Sequence, residues 1–359
     1  MSTPTRIAPE VPARPTGPVR TQRRLPRFAP LGLYLAGVAL GAALSALSGS
    51  GLTTAVVYGV VLGTLAVYVA SRIVEGPRKA TDRLVTSLVT TAFGIAMVPL
   101  LSLVWTVLDN GLPRFDAQFF TNSMYRVVGE GGGAYHAILG TLIITALATA
   151  ISVPIGLMTA IYLVEYAQGR LKKAITFFVD VMTGIPSIVA GLFAFALFTL
   201  LFGGGVRLGV MGAVALSVLM IPVVVRSCEE VLKLVPNELR EASYALGVPK
   251  WRTVVKVVLP TAIAGLGTGI TLAVARVVGE TAPLLVTVGL ITGTNLNPFD
   301  GRMATLPVFA FYQLTQPGTA TQAFLDRAWT GALVLIILVM ALNVVARLIS
   351  RFFAPKTGR

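Results

Sequence analysis

Residues 236–260 read PNELREASYALGVPKWRTVVKVVLP, and this stretch decides the fold. Pro236 and Asn237 precede Glu238, an acidic residue that favours the positive end of a helix, with Asn237 as N-cap. Gly247 offers the left-handed residue that stops a helix, and Pro249 follows it. The spacing predicts a short helix over 238–246. Leu239, Ala242, Ser243 and Leu246 recur at i, i+3, i+4 and i+7, so they form one small apolar stripe. The loop around it is highly charged, so the stripe needs a protein groove to cover it. The alternative is a helix lying on the lipid surface, but this stripe is short and carries no large aromatic.

On either side the chain turns apolar. Of 359 residues, 55% are hydrophobic and 12% charged, half the ~25% usual in soluble domains. Mean hydropathy is +0.81. These values exclude an ordinary soluble protein and a charge-rich disordered or coiled-coil chain. A bilayer span needs ~20 apolar residues. Eight runs qualify, near 29–49, 53–71, 84–108, 137–164, 174–202, 208–225, 257–278 and 328–346. The first is too long for a cleaved signal peptide. The expected fold is an all-α polytopic membrane protein.

Charge sets the orientation. Six arginines precede Pro30. Four basic residues lie in 72–83, three in 165–173, six in 226–256 and four from Arg347 onward. The intervening loops carry five: Arg114, Arg126, Arg207, Arg302 and Arg327. This bias places both termini in the cytoplasm. Trp105, Trp251 and Trp329 fall at expected span ends, where amphipathic rings settle. The net charge of +14 is therefore read as topology and lipid contact, not nucleic-acid binding. Residues 1–28 read as a disordered basic tail, 29–83 as two spans with a basic loop, and 351–359 as a second cytoplasmic tail. The segment 109–136, with Gly131, Gly132 and Gly133, reads as a flexible outer loop.

Arg276 is the one basic residue left inside an apolar run. Residues 257–291 would extend ~52 Å as one helix, beyond the ~30 Å hydrocarbon core. A break is expected near Gly279–Pro283, where irregular backbone must line protein or a water-filled cavity. Arg276 and Glu280, four apart beside that break, would either form a structural ion pair or shape an anion site. An arginine fork can donate two parallel hydrogen bonds to an oxyanion. A neighbouring carboxylate would ease release and could accept a proton from the monoprotonated anion. Arg226, ending the run after Pro222, is either an interfacial anchor or a second anion contact. Asp180 either pairs with Arg226 or is solvated at a subunit interface. Cys228 and His136 read as incidental. A single cysteine and a single histidine leave no disulfide and no metal site.

Here the chain resembles a known family. Glu241-Ala242, Gly247, Val257 and Leu259-Pro260 match the EAA loop of ABC importer permeases, with Ser243 for the second alanine and Val257 for isoleucine. Residues 275–285, ARVVGETAPLL, resemble the signature of the PstA type of phosphate permease, and 184–193, GIPSIVAGLF, are similar to its other membrane signature. The resemblance covers about residues 84–350. It implies a type I importer permease core of six spans, preceded here by two extra ones. It implies that 238–246 is the coupling helix, with Leu239, Glu241, Ala242, Leu246 and Gly247 at the ATPase dock. It implies that Arg226 and Arg276 lie on the phosphate path. The implied partners are a PstC-type permease, an ABC ATPase dimer and an extracytoplasmic phosphate-binding protein in a bacterial plasma membrane. ATP and magnesium would bind the ATPase, since this chain has no Gly-x4-Gly-Lys-Ser/Thr loop and no cofactor of its own. Three rivals are the same machine with another oxyanion or solute, an intramembrane enzyme, and a stand-alone transporter. No HExxH or Gly-x-Ser-x-Gly supports the second, and the EAA loop argues against the third.

Overall fold

In a computed structural model, residues 25, 26, 28–318 and 320–353 are described. Most of the basic tail expected over 1–28, and the second tail beyond 353, lie outside them. Regular structure among the described residues is all helical. The helices are α1 (Ala29–Leu47), α2 (Leu52–Val74), α3 (Pro77–Gly111), α4 (Ala117–Thr121), α5 (Tyr135–Ile161), α6 (Gly169–Thr183) and α7 (Ser187–Phe202). They continue as α8 (Gly209–Lys233), α9 (Asn237–Ala245), α10 (Lys250–Thr253), α11 (Leu259–Val278), α12 (Ala282–Thr287), α13 (Leu306–Thr315) and α14 (Thr321–Phe353). A π-helical turn, Tyr162–Tyr166, extends α5, and another, Val254–Val258, joins α10 to α11. Seven helical stretches are long and apolar enough to cross a membrane, eight if α6 and α7 count as one span. The residues gather into two compact units, one up to Leu103 and one from Val104, with the division inside α3.

In the first unit, α1 packs on α2 through Gly37 and Gly41 against Gly59 and Gly63. A Cβ added at Gly41 would stand 2.3 Å from the Gly59 nitrogen, and one at Gly37 would stand 2.4 Å from the Gly63 Cα. Lipid tails are as apolar as the side chains, so close backbone approach, not water exclusion, holds such helices together. The Tyr34 and Thr64 hydroxyls, 3.0 Å apart, add a hydrogen bond across the pair. Leu31, Leu35, Val56 and Val57 remain exposed, as lipid-facing side chains should. Between α2 and α3, Glu75 accepts a forked pair of bonds from Arg83 at 2.7 and 3.0 Å, with the Ser71 hydroxyl and the Leu25 N–H.

The second unit is built around α8. Met211, Leu216, Met220, Val224, Cys228 and Leu232 line its buried face and pack with α5, α11 and α12. Cys228 thus serves packing. Small residues let the helices close: Gly156 of α5 meets the Val224 side chain, and Gly212 meets Val288 and Leu284.

Three expectations need correction. The run 174–202 is not one helix: α6 and α7 meet at 106°. Pro186 lacks an N–H and disfavours the helical region for Ile185, and with Gly184 beside it the helix ends here, whereas Pro154 and Pro222 are carried inside α5 and α8. The segment 109–136 is not a loose loop. It folds α4 and is gripped by arginines: Arg114 donates to the Gly132 carbonyl, and the fully buried Arg327 donates to those of Gly129 and Gly131 at 2.7 and 2.9 Å. Arg327 also bonds Gln313 and lies 4.5 Å over the Phe324 ring. The coupling-loop helix starts at Asn237 and ends at Ala245, one residue early at each end. Asn237 is its first residue, with Pro236 before it and no side-chain cap bond. Gly247 does take the left-handed conformation, at φ +74°.

Candidate functional site

Arg226 sits one turn beyond Pro222 on α8 and reaches α6. Its guanidinium bonds the Asp180 carboxylate and, 3.4 Å away, the Thr176 carbonyl. Its other terminal nitrogen bonds Glu229 at 2.8 Å, and Glu229 also takes Lys233 at 2.7 Å. Four charges therefore alternate: Asp180, Arg226, Glu229, Lys233. The buried Glu229 holds the centre of the row. The fork of Arg226 is occupied on both sides.

Arg276 is arranged otherwise. It lies in the last turn of α11, is exposed, and among the described residues makes no side-chain hydrogen bond or ion pair. Glu280 does not pair with it, against one of the two expectations. The reason is local. The helix ends at Val278, and Gly279 leaves helical geometry, so the i, i+4 relation is not carried to Glu280. The expected break runs over Gly279–Thr281, and α12 starts again at Ala282 with Pro283 next. A Cβ on Gly191 of α7 would come 2.6 Å from the Pro283 Cα, so the bent α6–α7 pair supports the break directly. Arg207 donates to the Leu285 and Val286 carbonyls, at 3.2 and 2.7 Å, near the C-terminal end of α12. Cations belong at helix C-termini. Sequence reading had placed Arg207 only as an outer-loop charge.

In the loop between α8 and α10, expected to be the coupling loop, Leu239, Glu241, Ala242, Leu246 and Gly247 are exposed on or just beyond α9. Ser243, expected on the same stripe, instead faces inward and shares a 2.8 Å hydrogen bond with Thr253. Tyr244 and Trp251 are exposed nearby. Arg240, which the pattern of apolar positions did not single out, bonds Glu165 and the Leu232 and Val235 carbonyls. No group of three or more metal-ligating side chains occurs among the described residues.

The chain is similar to one family, to two permease relatives and to one solved transporter structure. The family described as the binding-protein-dependent transport system inner membrane component matches residues 152–359. The phosphate transport system permease protein PstA 1 of Mycobacterium tuberculosis is 47% identical over 285 residues, covering 79% of this chain and 91% of that protein. The phosphate transport system permease protein PstA of Pasteurella multocida is 35% identical, covering 78% and 97%. A chain from the crystal structure of a bacterial alginate ABC transporter, in complex with an alginate pentasaccharide-bound periplasmic protein, superimposes with a TM-score of 0.54 at 12% identity, over 78% of this chain and 97% of that one. At that identity the likeness is one of fold.

Proposed function

We infer, because this chain belongs to the binding-protein-dependent transport system inner membrane component family, that it is the membrane-spanning permease of an ATP-driven importer of inorganic phosphate. The observation that carries the cargo is the 47% identity across nearly the whole of a phosphate transport permease. The membrane helices of the fold agree with a multi-pass pore subunit. Both termini would lie in the cytoplasm. A PstC-type permease would complete the pore. The assembly would hold two copies of an ABC ATPase, with ATP and magnesium, one of them docked on α9, and an extracytoplasmic binding protein would deliver phosphate.

The two arginines then have different parts. Arg276 offers an unengaged fork where α11 stops, and a guanidinium stays charged at any physiological pH. It is suited to receive phosphate directly. Arg226 already spends its donors on two carboxylates, so phosphate gains from it only when Asp180 swings away. The Asp180 contact is the more exposed of the two and the easier to open. Glu280, half-buried just past the break, is the nearby acid that would ease release. No bond is made or broken in this subunit.

Radiolabelled phosphate uptake into vesicles rebuilt with and without this chain tests the reading. Uptake should require the chain, ATP and the binding protein together. Accumulation of a different oxyanion with phosphate ignored would replace the cargo.

A further inference from the structure

We propose that Arg240 is the positioning residue that ties the coupling helix to α5 and to α8, the span that carries Arg226, and that Glu165 is its anchor. The proposal rests on the reading of α9 as an ATPase dock.

The contacts are specific. Arg240 donates to one oxygen of Glu165 through Nε at 3.1 Å and a terminal nitrogen at 2.9 Å. It donates to the Leu232 and Val235 carbonyls, at 3.0 and 2.6 Å, where α8 ends, and to the Asn237 side chain at 3.2 Å. Both charged side chains are withdrawn from solvent, 12% exposed for Arg240 and 4% for Glu165. A surface ion pair would be screened and soft. A withdrawn pair with a planar fork and two backbone acceptors is rigid. Val235 and Leu232 are themselves buried, so the carbonyls cannot drift.

These partners belong to different spans. Glu165 lies in the π-helical turn that ends α5. Leu232 is in α8, which carries Arg226. On the other side of α9, the buried Ser243–Thr253 hydrogen bond reaches the residue just before the second π-helical turn, which leads into α11 and Arg276. Alpha-helices rarely take π turns, and those that occur concentrate at functional places. Here both flank the same short helix, one at each polar tether. A push on α9 therefore reaches α5 and α8 through one guanidinium and α11 through one hydroxyl pair. Exposed Leu239 and Leu246 would receive the push, and Arg240 would pass it on.

The experiment uses the complete assembly of both permeases, ATPase and binding protein in vesicles, and reads ATP hydrolysed per phosphate imported. Arg240→Gln and Glu165→Gln should each raise that ratio, within the roughly 5–150-fold range of coupling between sites. The double variant should be no worse than the poorer single one, and Arg240→Lys should recover part of the loss. A proportional fall in hydrolysis and import at constant ratio would make the pair merely structural and overturn the proposal. A second arm covers variants that assemble poorly. Arg240→Cys with Glu165→Cys, joined by a short thiol-reactive bridge, should recover tight coupling relative to the unbridged protein. A bridge that blocks import would show that the contact must break in each cycle, and one without effect would show that no tether is needed; either result overturns the proposal. A wild-type assembly that hydrolyses ATP but ignores phosphate fails the cargo reading alone. The tether is then scored on ATPase stimulation by the binding protein.

Discussion

Arg226 and Asp180, forty-six positions apart, meet across the contact of α8 with α6, and Arg226 holds Glu229 at the same time. One cation shared by two carboxylates is a balanced arrangement, because the exposed partner can leave while the buried one stays. Removing the buried Glu229 would leave two cations, Arg226 and Lys233, with Asp180 as the one carboxylate of the row. Asp180→Asn should therefore alter import while sparing stability, with an effect on folding of about 1 kcal/mol or less, as for exposed pairs. A double-mutant cycle with Arg226→Gln on import rates checks this, and additive effects would show that the pair has no part in transport.

Among the described residues Arg276 has no side-chain partner to lose. Arg276→Gln should abolish phosphate import, leave co-purification with the partners intact, and shift the melting temperature little. Arg276→Lys should restore import only in part, because an ammonium cannot form two parallel bonds to an oxyanion. Uptake assays beside a pull-down separate these outcomes. Normal import by the glutamine variant would remove Arg276 from the path.

Glu75 gives a pH signature. The Arg83 guanidinium, helped by the Leu25 N–H and the Ser71 hydroxyl, holds its carboxyl down at about 2 against the opposing push of burial. A depressed carboxylate contributes stability that is fully present above its ordinary value near 4.5 and is lost as pH falls through about 2. The contribution should be on the order of 1 kcal/mol once solvent screening is allowed for. Melting of the detergent-solubilised protein should be insensitive to this group between pH 7 and pH 5 and decline below. Glu75→Gln should flatten the decline; an unchanged profile would show that the interaction is not carried into stability.

The α1–α2 contact leaves no room for a side chain at Gly41. Gly41→Val should separate the pair and cost about 1–3 kcal/mol, the usual range for overpacking. Ala39→Val, on the exposed side of the same helix, should be silent. Thermal unfolding of the two variants against wild type decides it. Equal stability would mean that the pair tolerates a wider spacing.

Arg327→Met should free the segment around Gly129 and Gly131. Two carbonyls would lose their donor, at a cost of about 1–3 kcal/mol each if left buried. Hydrogen exchange over residues 129–133 should rise by orders of magnitude, while exchange in α8 stays slow. Slow exchange across both would show that Arg114 holds the segment alone.

Much of this was legible in the residues. Length and hydropathy mark the spans, because a bilayer imposes a simple rule on a helix. The break after Val278 follows from a run too long for one crossing. The left-handed Gly247 follows from its place before Val248 and Pro249. What was hidden depends on partners distant in sequence. Nothing near Arg327 announces that it will be fully buried against Gly129 and Gly131, nearly two hundred positions earlier. Arg207 and Arg240 read as topology charges; the acceptors of Arg207 are backbone carbonyls, which every residue has, and the carboxylate partner of Arg240, Glu165, lies 75 positions earlier. The pairing of Gly37 and Gly41 with Gly59 and Gly63 was available as two small-x3-small repeats. The 106° bend was half visible, since Gly184 and Pro186 announce weakness but not how far the chain will turn.

The arginine grip on residues 109–136 has a consequence for the entropy of any binding there. A glycine-rich stretch left mobile would have to be frozen upon each encounter, and that lost freedom would weaken every landing. With Arg114 and Arg327 holding Gly129, Gly131 and Gly132 from within, the freezing is completed once, when the protein folds. A partner that bound this segment would therefore meet a surface already ordered, without that entropic cost.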